Sequence, residues 1–245
     1  MSKIAVITGG ESGIGLATAI LLAEQKYKVI IFGLNETPEL KQHNLAFIHC
    51  DVSNSKNVEQ AINEVVERFG AIDCLINNAG VLSYGTATDL SENEWDHVMA
   101  VNVKGPFLCA KYTIPHMNDN AVIVNVASVQ SFVAQPFVAA YATSKAAILG
   151  LTRSIAIDFS PKIRCVAVCP GTIDTPMLRG AMAQAADPQA MMQELNDSHL
   201  TGRIGQPEEV ADLIAFLCSG KCGFINGEAI RIDGGLGINV GGSKN

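Results

Sequence analysis

The chain has 245 residues, 48% of them apolar and 17% charged, with 24 Asp and Glu against 17 Lys and Arg and a net charge of −7. That length and composition describe one large folded domain with a sizeable core, not a disordered or fibrous chain. The acidic balance, with no basic cluster, argues against nucleic acid, and no apolar run nears the roughly 20 residues that span a bilayer.

Met1-Ser2-Lys3 leads straight into a strand-like run without a signal peptide, and seven cysteines with no CxxC pair suit a reducing compartment; the expected location is the cytoplasm. Cys165 and Cys169 read as small buried groups of a strand. His43, His49, His97, His116 and His199 show no metal spacing, so no metal is expected.

Along the chain, short β-branched runs alternate with longer stretches of helical period. The runs are "IAVI", "VIIF", "LAFIHC", "CLIN", "AVIVNVAS", "IRCVAVC" and "EAIRID". Continuously apolar strands of this kind belong in a parallel sheet covered on both faces. The expected fold is therefore α/β: a doubly wound, Rossmann-type sheet of seven parallel strands with helices on both faces, in a single domain spanning 1–245. Only the tail "GGSKN" reads as loose.

After the first strand, ending near Thr8, comes "TGGESGIG", and a helix starts near Ile14. A glycine turn between strand and helix aims backbone N–H groups and a positive helix end at one point, where a pyrophosphate can approach closely. Tyr141 and Lys145, four apart, share one helix face, so the ammonium is expected near the phenol and should favour phenolate. Ser128 falls at the carboxyl end of the fifth run, where open α/β sheets build their sites.

The spacing of Gly9, Gly13 and Gly15 (TGxxxGxG), then "NNAG" at 77–80, Asn102, Ser128, "YATSK" at 141–145 and "PGTIDT" at 170–175, resembles the short-chain dehydrogenase/reductase family from Thr8 to Gly235. The resemblance implies hydride transfer between a nicotinamide cofactor and a secondary alcohol or ketone. Tyr141 would be the general acid and base, Ser128 would hold the substrate oxygen, Lys145 would also hold the nicotinamide ribose, and Asn102 would position a water. Gly9, Ser12, Gly13, Ile14 and Gly15 would line the phosphates, Asp51 and Val52 the adenine, and Asn77, Ala79 and Gly80 the adenosine ribose. Pro170, Gly171, Ile173 and Thr175 would meet the nicotinamide.

The sequence departs from the family pattern at Gly33, where members preferring NAD usually carry Asp. Ser12 and Leu34 stand where members preferring NADP often carry Lys or Arg. Glu11 and Glu36 would both repel a 2′-phosphate, so NAD is favoured, with NADP left open; Asn35 is a candidate for a ribose hydrogen bond.

Residues 176–200 read as two short lid helices broken at Asp187-Pro188. Met177, Met182, Met191 and Met192 are candidate pocket walls and Arg179 is the sole cation in the segment. Gln130, Gln135, His199 and Arg203 are further candidates near the site.

The substrate expected is a neutral polyol or sugar, with small hydroxy acids included. A 3-oxoacyl-(acyl-carrier-protein) reductase using NADPH is one alternative, and a non-catalytic dinucleotide sensor another. The resemblance implies a homo-oligomer, expected to be a tetramer, through the helices that include residues 101–118 and 139–158, and "AAILGLTRSIAIDF" carries more small and apolar residues than one buried stripe needs.

Overall fold

The first strand, β1 (Ile4–Thr8), is buried along its whole length, and alternation divides its side chains between two cores. Ile4 and Val6 face one layer with Ile30, Phe32, Leu75 and Ile123, while Ala5 and Ile7 face the other with Ile31, Ile76, Val124 and Val168. In the computed structural model, which describes residues 2–239, seven strands follow the expected runs: β2 (Lys28–Gly33), β3 (Ala46–His49), β4 (Ile72–Asn77), β5 (Met117–Val126), β6 (Ile163–Pro170) and β7 (Ala229–Ile232). The tail 241–245 lies outside the described residues.

All pairings are parallel, in the order β3-β2-β1-β4-β5-β6-β7. The chain winds outward from β1 to β3, returns to place β4 against the other side of β1, and winds outward again. That reversal opens a crevice over the carboxyl ends of β1 and β4. Register keeps those ends level, with Thr8 opposite Phe32 on one side and Asn77 on the other, and Asn77 opposite Asn125.

On one face, α3 (Ser55–Phe69) and α5 (Gly105–Thr113) bury Val58, Ile62, Val65 and Leu108. On the other, α1 (Gly13–Glu24) and α9 (Pro207–Cys218) bury Ala19, Leu22, Ile214 and Leu217. The long α6 (Ala139–Phe159) sets Ile148 and Leu149 over Ala127, Ala167 and Cys169. The short α2 (Pro38–Gln42) closes its side of the sheet with Leu40. Starts follow side-chain chemistry: Asn54 caps α3, and Ser91 with Glu94 forms a capping box on α4 (Glu92–Met99).

The expected helix break at 187–188 is present. Asp187 accepts hydrogen bonds from the Gln189 and Ala190 amides, Pro188 opens α8 (Pro188–Ser198), and α7 (Pro176–Met182) precedes it. Between α4 and α5 the chain widens into a π-helical turn at Ala100–Lys104, which carries Asn102. Among the described residues no helix is long and apolar enough to cross a membrane.

Candidate active site

The glycine turn owes its shape to two left-handed residues, Gly9 (φ +63) and Gly13 (φ +53), and to close approach. A Cβ on Gly9 would stand 2.9 Å from Ala79 Cα, and one on Gly13 3.2 Å from the Thr175 side chain. The turn is pinned to β4 by Thr8, whose Oγ1 accepts from the Asn78 and Ala79 amides at 3.0 Å each. Asn78 Nδ2 in turn donates to the carbonyls of Thr8 and Gly9. Ser12 precedes α1 without a capping side-chain bond, so the first-turn amides keep their donors for a ligand.

A cavity of about 600 Å³ sits over this turn. Leu34, Asp51 and Val52 line one part of it, Gly9, Ser12, Gly13, Ile14, Ala79 and Gly80 its floor, and Ser128, Tyr141 and Lys145 its far end. Pro170, Gly171, Ile173 and Thr175 close the side near α7. The bare glycine floor, the open helix amides and an apolar slot at Leu34 and Val52 fit an extended dinucleotide.

Four of the residues expected to hold the cofactor or do the chemistry are not part of that wall. Gly15 packs below it: a Cβ there would meet the Gly9 carbonyl at 2.3 Å, so its smallness serves the turn and not a phosphate. Asn35 is exposed beyond β2. Asn77 points into the core, where its Nδ2 donates to Asn125 Oδ1 at 2.8 Å and Asn125 continues the row to Thr152. Asn102 spends its amide on Val81, accepting from its N–H at 2.8 Å and donating to its carbonyl at 2.9 Å, and donates further to Ser144. It braces the chain above β4; a water-positioning role for its side chain does not follow from these bonds.

Ser128 lies two residues beyond β5, not at its end, because its hydroxyl accepts from the Gln130 amide and starts a short 3-10 turn. Lys145 is 5% exposed, and its Nζ donates to the Val126 carbonyl at 2.8 Å. Burial pushes its ammonium down to about 8.

The expected lowering of Tyr141 by that ammonium is not what the site shows. Burial holds the phenol above its usual range, with only the Ser128 hydroxyl acting the other way. The ammonium stands 5.5 Å from the ring centroid, and both groups share one desolvated pocket that penalises charge on either.

Around the reacting end stand Tyr84, Gln130, Gln135, Met177, Met191 and Leu195. Gln130 Nε2 donates to Gln135 Oε1 at 3.0 Å, which leaves Gln130 Oε1 buried without a partner. Met182 and Met192 are not among the lining residues. Arg179 lies outside the wall in a two-pronged pair with Asp174, and Arg203 does likewise with Glu209. His199 is buried behind the site: its Nε2 accepts from the Thr172 amide, so Nδ1 carries the proton and donates to the Leu195 carbonyl at 2.6 Å.

Sequence reasoning missed Asn78, the partner of Asn77 that reaches the cavity, although strand alternation from Cys74 onward distinguishes the two. It also missed Tyr84 and His97, which have no spacing signal. No group of three or more His, Cys, Asp or Glu among the described residues could hold a metal.

Comparison with known proteins agrees with this fold. A family model described as enoyl-(acyl carrier protein) reductase matches residues 9–237. The chain is 40% identical to 2-(R)-hydroxypropyl-CoM dehydrogenase of Xanthobacter autotrophicus, over 96% of this chain and 98% of that one. It is 35% identical to 3-oxoacyl-(acyl-carrier-protein) reductase of Thermotoga maritima, over 96% and 98%. The ligand-free structure of Thermoplasma acidophilum aldohexose dehydrogenase superposes with a TM-score of 0.95 at 38% identity, covering all of this chain and 97% of that one. The chain belongs to the short-chain dehydrogenase/reductase family, and it is a nicotinamide-dependent oxidoreductase of alcohols and ketones.

Proposed function

We propose that the protein uses NAD(H) to interconvert a small neutral polyol or sugar and its carbonyl form, with Ser128, Tyr141 and Lys145 as its catalytic residues and Asn102 bracing them. The observation that carries this reading is the uncharged wall facing Ser128 and Tyr141. Two glutamines, one with an unused carbonyl, offer hydrogen bonds to hydroxyl groups, while Arg179 and Arg203 are both held by acids. Lys145, the one lysine or arginine among the described residues of the wall, is spent on the Val126 carbonyl, so an acidic group on a substrate finds no arginine to pair with. The aldohexose dehydrogenase likeness supports the same direction.

A nicotinamide held in this cavity would supply or accept the hydride. The chain orients the reaction around it. Ser128 and Tyr141 converge on the substrate oxygen; the phenol donates its proton as a ketone becomes an alcohol, and in the reverse direction the phenolate, formed once that proton has passed to neutral Lys145, takes the proton of the alcohol. Lys145, buried and easily deprotonated for a lysine, is suited to resupply that proton. Helices α7 and α8 serve as the lid, bringing Met177, Met191 and Leu195 over the site to exclude water.

Substitution of Tyr141 by Phe tests the reading against a sensor that only binds. Turnover of a polyol or aldose panel should fall about 10³-fold while NADH affinity stays within about threefold. Unchanged turnover in the variant would remove Tyr141 from the chemistry.

A further inference from the structure

The end of β2 lacks the acid that would hold the adenosine ribose, yet a carboxylate is there. It comes from the glycine turn that follows the neighbouring strand, β1. A Cβ built on Gly33 would lie 2.6 Å from Glu11 Oε2 and 2.8 Å from Oε1, so the Glu11 carboxylate occupies the space a side chain at position 33 would take. Its Oε1 accepts only a long hydrogen bond, 3.4 Å, from the Leu34 amide. Its Oε2 is buried and has no partner. Both Glu11 and Gly33 line the cavity, beside Leu34 and Asp51.

A buried carboxylate oxygen without a donor is costly, and one long bond to Leu34 does not compensate for it. The missing donors are what a ribose diol has to offer.

We infer that Glu11, carried on the glycine turn and seated over Gly33, receives the 2′- and 3′-hydroxyls of the adenosine ribose and rejects a 2′-phosphate. The inference rests on the reading of this cavity as a dinucleotide site.

The neighbouring candidates do not compete for the role. Glu36 is bound to Lys41 at 3.1 Å and lies off the cavity wall, as does Asn35. Lys145, at the opposite end, is the one lysine or arginine among the described residues of the wall, so nothing beside Glu11 would neutralise a phosphate dianion. Gly33 and Glu11 form one device: the glycine leaves the room that the glutamate fills. An acid placed at 33 fits only where Glu11 has been shortened.

The test is calorimetric titration of the full chain with ADP-ribose and with its 2′-phosphate, neither of which needs the nicotinamide or turnover. The native protein should bind ADP-ribose at least about tenfold more tightly than the phosphorylated form. In Glu11→Gln, which keeps the size and loses the charge, that preference should shrink by about tenfold or more. Gly33→Asp alone should weaken ADP-ribose, because two carboxylates then contend for one space. The pair Glu11→Ala with Gly33→Asp should recover both affinity and preference, with thermal midpoints recorded for all four proteins.

Native-like preference in Glu11→Gln overturns the assignment while leaving the dinucleotide site intact. Absence of ADP-ribose binding by the native protein overturns both the assignment and the reading beneath it.

Discussion

Replacing Thr8 by Val changes the side chain's shape very little and removes one oxygen, so its effect isolates that oxygen. In the native chain Thr8 is 2% exposed and its Oγ1 accepts from two backbone amides, Asn78 and Ala79, at 3.0 Å each. Valine leaves both donors facing a methyl group. An unsatisfied buried N–H costs about 1–3 kcal/mol; both amides border the cavity, where water reaches them in part, so the lower end applies and the sum is about 2–4 kcal/mol. Thr8→Ser keeps the acceptor and loses a methyl, for about 1 kcal/mol. Urea denaturation of the three proteins, compared at equal slope, measures the difference. NADH titration should show a larger loss of affinity in the valine variant, because the amides released belong to the floor of the cavity. A valine variant within about 0.5 kcal/mol of the serine variant would refute the claim that this hydroxyl pins the turn to β4.

Two further outcomes follow from the geometry. For ketone reduction, kcat/KM should fall as pH rises past about 8, because Lys145 loses its proton there while the Tyr141 phenol, raised by burial, remains protonated. Lys145→Arg should abolish that limb, and a native profile flat to pH 9.5 would show that Lys145 does not resupply the proton. The exposed stripe of Ala146, Gly150, Arg153 and Ile157 on α6, together with Phe107 on α5, leaves apolar surface for a second copy to cover, and we propose a homotetramer; Ile157 is 78% exposed and Phe107 49%. Light scattering should give a single tetrameric mass, and a monomer would contradict it.

The sheet was legible in the sequence because its central strands are buried on both faces. "IAVIT" and "IRCVAVC" carry no polar alternation, and that absence is itself the mark of a covered parallel strand. The helix break at Asp187-Pro188 was legible because the capping side chain and the proline are neighbours in the chain. The glycine turn and the Tyr141 and Lys145 pair were legible for a related reason: a turn and an i, i+4 relation are local. Their electrostatics were not, because the lowering expected for Tyr141 weighed only the neighbouring ammonium, whereas burial of the phenol acts in the opposite direction.

Facing directions were the hardest to read. Asn77 and Asn78 are equivalent as letters, but Asn77 is paired in register with Thr8 and Asn125 and turns inward, while Asn78 lies past the last rung and reaches the crevice. The same logic governs the acid at the end of β2. Glu11 and Leu34 are 23 positions apart in the chain, yet register sets Thr8 opposite Phe32, so three residues beyond one partner and two beyond the other meet across the turn. A reading that looks for the acid at one sequence position finds glycine and stops there. Strand register supplies the further step, since whatever follows β1 and whatever follows β2 must share the same few ångströms. A missing side chain on one of them is then an invitation to ask what the other has placed in the gap.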